Sequence, residues 1–218
     1  MGYKLKKLEY KLAPYAVRNL MTVIIGAMVI VYIANFAVAA SGAEQSLYSY
    51  LIFDRAAIAA GQVWRVFTFI FMPPQTSLIF IIFALYFYWM MGSALEREWG
   101  ALRFNVFYLV GIIGAIAAGL ITGIATNSYL NMSLFLAFAA FYPNYTVMIF
   151  FILPVKVKWL AYIDLALLVY MFILNGWGGR CAILFSLVNV VIFFWRDMAA
   201  ECKRIIGNIR YRIRTRRK

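Results

Sequence analysis

Long apolar stretches alternate with short polar or proline- and glycine-punctuated breaks along the whole chain. Six stretches stand out, at 17–40, 76–94, 102–125, 128–142, 158–175 and 178–196. A hydrocarbon core about 30 Å thick is crossed by about twenty apolar residues in a helix. The pattern therefore predicts six membrane-crossing helices, the fourth of them short because Pro143 and Asn144 stop it. Two further segments hold apolar runs too short to span. In the first loop, 41–75, the runs 48–53, 56–60 and 66–72 are broken by Gly61 and closed by Pro73 and Pro74. That arrangement predicts a loop half sunk in one leaflet. The run 147–153, fenced by Pro143 and Pro154, is expected at the interface or beneath the bundle.

Small residues recur at fourfold spacing in the third stretch, at Gly111, Ala115, Gly119 and Gly123, with Gly114 and Ala118 beside them. Helices in lipid pack closely through such residues, so the stripe is read as packing rather than as a substrate groove.

Composition makes the bilayer the only fitting solvent. Hydrophobic residues make up 66% of the 218, charged residues 13%, and the mean hydropathy is +0.84. A soluble domain of that length leaves too much of its chain exposed to hide so much apolar surface. The first stretch is too long for a removable signal and lacks a convincing cleavage site, so it is expected to be a retained span. The net charge of +13 does not point to nucleic acid, because Lys and Arg gather at the termini and in two short loops. With the N-terminus inside, eighteen cations fall on one side, and only Arg55, Arg65 and Arg180 on the other. By the positive-inside rule both termini are expected to be cytoplasmic, and the expected location is a bacterial plasma membrane.

The domain organisation that follows is a basic N-terminus over 1–16, one membrane domain over 17–196 and a basic tail over 197–218. The eight cations of 203–218 suggest anionic lipids as the tail's partner. Cys181 and Cys202 lie at opposite ends of the last stretch, about 30 Å apart along a helix, too far for a bond within one chain. No CxxC or metal-ligand cluster is present, and neither a metal nor a cofactor is expected.

Four short blocks, in order, carry a family resemblance. They are GQVWRVFTFIFMP at 61–73, GSALEREWGALRF at 92–104, FYPN at 141–144 and LPVKVKWL at 153–160. The first resembles the first-loop signature of the rhomboid-like superfamily, and the second its Gly-x-x-x-Glu block closing the second span. The last two resemble its junction between spans four and five. The resemblance covers about 20–196 and implies an all-α polytopic membrane protein, a six-helix rhomboid-like bundle with a partly membrane-embedded first loop. It also implies that Trp64, Arg65, Gly92, Glu96 and Gly100 form the family's structural motif, with Arg65 and Glu96 fixing loop and span ends through hydrogen bonds.

The chemistry departs from that pattern. Proteolytic rhomboids carry Gly-x-Ser-Gly at the start of the fourth span and a His on the sixth. Here the nucleophile's place falls at Ser128, within TNSY at 126–129, with neither glycine. Tyr129 would crowd the space those glycines leave for the oxyanion and the neighbouring helix. The chain has no histidine at all. A serine needs a base of suitable pKa within hydrogen-bond reach. Every lysine is expected on the opposite side of the membrane, and arginine does not deprotonate usefully. Asp164, about two turns from Lys158, is expected near the inner face, which argues against a Ser-Asp dyad.

The remaining candidates are polar residues inside apolar stretches. Asp164 is either an ion or substrate contact, or, more plainly, a carboxylate that snorkels toward the interface or pairs with Lys158. Asn127, Asn131 and Asn189 are candidate cavity or client contacts; Asn105 belongs with them, and hydrogen bonding between helices is the plainer use of all four. Trp64, Trp99, Trp159, Trp177 and Trp195 sit near span ends, as an aromatic belt does.

Taken with the resemblance, these residues imply a catalytically inactive, Derlin-like relative of the intramembrane proteases, a pseudoprotease that binds transmembrane client proteins. The truncated fourth span and submerged loop would thin the bilayer and make room for a client helix. The alternatives are an active intramembrane serine endopeptidase using Ser128 with an unidentified base, and a small transporter or channel.

Overall fold

The computed structural model describes residues 11–42, 44–149 and 153–193. Six helices carry the fold: α1 (Leu20–Ala40), α2 (Leu78–Trp99), α3 (Ala101–Thr122), α4 (Ser128–Phe141), α5 (Val157–Leu174) and α6 (Trp177–Phe193). Four helices are long and apolar enough to cross a membrane, and α4 and α6 are the two shorter ones. The molecule is an all-α polytopic membrane protein.

Breaks between helices are made by residues that suit them. Gly100 adopts φ +80° between α2 and α3, and Gly123 adopts φ +92° at the end of α3. Both conformations disfavour a side chain, so each glycine ends one element and frees the next to start. Gly123 belongs to the small-residue stripe in the sequence, yet a Cβ there would meet nothing within 4 Å. It is a helix cap, and packing is left to its neighbours. At Gly111 an added Cβ would collide with Leu130 of α4, and at Gly119 it would lie 2.6 Å from Phe53.

Helix α4 is the centre of the bundle. Eight of its fourteen residues are buried, among them Leu134, Ala137 and Phe138, and it packs against α2, α3 and α5. By contrast α1 buries only Met21, Ile24 and Met28. Its first turn is anchored to α2: the Asn19 N–H donates to Glu96 Oε1 at 2.7 Å, and Met21 packs where a Gly92 side chain would otherwise sit. At the far end of α2, Trp99 gathers Phe107, Phe141 and Phe193 from α3, α4 and α6, with ring centroids 5.2–6.0 Å away. The other tryptophans named above fall on exposed positions where described, Trp177 at 82% exposure; Trp195 lies outside the described residues.

The first loop is folded into the bundle rather than spread on it. Strand β1 (Phe53–Asp54) pairs antiparallel with β2 (Ile124–Ala125), joining the loop to the α3–α4 connection. Phe53 is fully buried, edge-on to Phe69. Four successive carbonyls of the loop are capped from the WRVFT segment. Arg65 Nη1 donates to Ser49 O at 2.6 Å and Ile52 O at 3.0 Å, Trp64 Nε1 to Tyr50 O at 3.2 Å, and Thr68 Oγ1 to Leu51 O at 2.9 Å. A backbone without a ladder partner must find donors somewhere, and here the sequence supplies them twelve or more residues later.

Of the run 147–153, expected at the interface or beneath the bundle, residues 150–152 lie outside the described residues. Strands β3 (Thr146–Ile149) and β4 (Leu153–Lys156) form an antiparallel hairpin, and Val147 packs against the core. Tyr145 holds its base to α2 by donating to Met90 Sδ at 3.5 Å. Pairing satisfies each strand's backbone internally, which a lone extended run next to lipid cannot do.

Candidate functional site

The start of α4 is set by Asn127. Its Nδ2 donates to Ile70 O at 3.0 Å and Met72 O at 2.7 Å, tying the end of the first loop to the head of the helix. Ser128 is then the first helical residue and is exposed. It faces a cavity of about 280 Å³, walled by α2, α4 and α5 and roofed by Pro74. Asn127, Asn131 and Asp164 line the same cavity, so four of the sequence-selected residues meet there.

Asp164 corrects two expectations at once. Its side chain lines this cavity and makes no pair with Lys158, and it shares the cavity with Ser128. Lys158 instead places its Nζ 5.7 Å from the centroid of the Trp159 ring. Asp164 Oδ2 and Asn131 Oδ1 are buried without a hydrogen-bond partner. Tyr88 of α2, missed by the sequence reading, also lines the cavity, its hydroxyl beside the Asn131 amide. A polar tip in the middle of an apolar stretch was the signal available for it.

Asn189 lies elsewhere. It is 1% exposed on α6, packed against the backbone of Gly111, with neither amide atom partnered. Helix α6 meets the head of α4 through other residues: Ser186 Oγ donates to Tyr129 O at 2.8 Å. Tyr129 and Ser133 line a separate cavity of about 210 Å³ between α3, α4 and α6, together with Gly179, Ala182 and Ser186. Ser128 thus lies on the α2–α5 side of α4, and the residues turned toward α6 are Tyr129 and Ser133.

Of the expected structural motif, Arg65 is 6% exposed and is bound by the two carbonyls and by Gln62 Oε1 at 2.7 Å. Glu96 caps α1, Gly92 admits Met21, and Gly100 makes the α2–α3 break. None of the five lines the cavity at Ser128. Among the described residues no group of three or more His, Cys, Asp and Glu could hold a metal ion.

The sequence from 22 to 195 matches the model of a family described as Eukaryotic integral membrane protein (DUF1751). The chain belongs to this family. Membership places it among integral membrane proteins of the rhomboid-like kind. It also corrects the expected location: the family is described as eukaryotic, which overturns a bacterial cell membrane and a bacterial plasma membrane as the setting. No curated protein matches the chain.

Proposed function

We propose that this family member is a rhomboid-like membrane protein without peptidase activity, Derlin-like in binding transmembrane segments of other proteins. One observation carries it: the residue at the nucleophile's place, Ser128, opens into a cavity on the α2–α5 side of α4, while Tyr129 occupies the side turned toward α6. A rhomboid-type serine works against a base on the sixth helix, and this chain has no histidine to offer. Binding is supported by the short α4, fourteen residues or about 21 Å of rise, against a core about 30 Å thick. Where a span that short meets lipid, it thins the bilayer beside it. Depth measurements with spin labels at Ser128 and Pro143 test this, and normal thickness at both positions would remove the mechanism.

A second reading is favoured by the shared cavity: a peptidase in which the Asp164 carboxylate takes the proton of Ser128 Oγ. Labelling by a serine-directed fluorophosphonate, lost in Ser128→Ala, separates the two; no labelling leaves the non-proteolytic reading standing.

The boundaries 1–16, 17–196 and 197–218 are kept as the proposed division of the chain. The tail 203–218, outside the described residues, is proposed to lie on an anionic leaflet, at about 1 kcal/mol per basic residue near the surface. Flotation of a tail peptide with neutral and with anionic vesicles tests it; equal binding to both would refute it.

A further inference from the structure

From the polar lining of the α2–α5 cavity we infer that the clients bound there are transmembrane segments carrying a basic side chain, Lys or Arg, within their apolar stretch. This rests on the client-binding reading and specifies its partner. The lining holds unpartnered acceptor oxygens, and the Ser128 and Tyr88 hydroxyls that share the cavity donate to neither of them. Asp164 Oδ2 and Asn131 Oδ1 are both buried and unpartnered, and Asn131 is 5% exposed. The Asn127 amide hydrogens are directed at Ile70 and Met72.

A carboxylate facing unpaired acceptors at membrane depth is costly unless a donor or cation reaches it. A metal ion is a poor match, since the cavity offers one carboxylate and neutral oxygens. An ammonium or guanidinium brings three or five donors and no acceptor, the complement of the unpartnered Asp164 and Asn131 oxygens.

The surroundings suit a helix rather than a free solute. Beside the polar cavity, and sharing Phe87 with it, lies an apolar cavity of about 460 Å³ between α2, the β3–β4 hairpin and Leu160 of α5. A client helix laid along α2 and α5 would set aliphatic side chains in the apolar part and its basic side chain against Asp164. A basic residue in a lipid-embedded helix otherwise snorkels or draws water inward, so the cavity offers it a lower-energy place.

The test uses the full chain in nanodiscs, with p-benzoylphenylalanine in place of Met132 on the cavity wall. Single-pass Leu/Ala helices with Leu, Lys or Glu at the centre are offered, and crosslinked yield is read. The Lys helix is expected to crosslink about tenfold more than the Leu helix, and the Glu helix less than either. In Asp164→Asn, which keeps shape and removes charge, the Lys preference is expected to vanish with thermal stability retained. Equal capture of Lys and Leu helices would overturn this inference and leave client binding intact. A Lys preference that survives Asp164→Asn would overturn it as well. Capture of no helix would overturn both.

Discussion

Replacing Arg65 with Ala removes the donor that holds two carbonyls of the first loop. Arg65 Nη1 reaches Ser49 O at 2.6 Å and Ile52 O at 3.0 Å from a side chain that is 6% exposed. Hydrogen bonds from a charged donor contribute roughly 1.5–3 kcal/mol each, so losing both costs about 3–6 kcal/mol. The bond to Gln62 adds less, because that amide can turn to solvent. Thr68→Val removes one neutral bond, to Leu51 O, and should cost about 1 kcal/mol. Trp64→Phe removes the 3.2 Å bond of a side chain 49% exposed and should cost less still. Arg65→Lys keeps the charge but not the fork, and should recover about half of the loss. Arg65 and Thr68 clamp one segment, so the double variant should lose less than the sum of the two. Unfolding in detergent gives the energies, and hydrogen exchange over 48–53 locates them. The reasoning fails if Arg65→Ala unfolds within about 0.5 kcal/mol of the parent, or if exchange over 48–53 is unchanged.

Three further outcomes follow from packing and hydrogen bonding. Gly92→Val should destabilise the α1–α2 contact by about 2 kcal/mol, because its side chain would run into Met21, and Met21→Ala should restore part of that; equal stability of the single and double variants would contradict it. Glu96→Ala should cost about 1 kcal/mol by leaving the Asn19 N–H without its acceptor, with Glu96→Gln close to the parent, read by thermal unfolding. Tyr142 donates to Glu98 Oε1 at 2.8 Å; burial first, then that bond and the Glu98 charge, raise its phenol above the usual value near 10. Its contribution is therefore present below pH 10 and lost as pH rises through the raised value. The stability gap between the parent and Tyr142→Phe, present at neutral pH, should close above that value; a gap independent of pH would refute the assignment.

How far the sequence reached is clearest helix by helix. Apolar length places all six helices, including the early stop of α4 near Pro143, though α2 runs on to Trp99, past the expected end at 94, because lipid forces each crossing segment to satisfy its backbone alone. Lack of histidine is also a property of the sequence by itself, and no fold can supply one. What it could not show is which way each polar side chain turns. Ser128 and Tyr129 are adjacent in sequence and line different cavities, a difference of about 100° around one helix. Asp164 reads as shallow when its distance from Lys158 is counted along α5, and nothing in the sequence shows that it lines one cavity with Asn131 of α4. The β3–β4 hairpin depends on two short runs finding each other, and its apolar residues look the same to a hydropathy count as an interfacial segment. Span and break are local and follow from the solvent; which residues share a cavity depends on helix rotation and register, and those are fixed only when all six helices pack together.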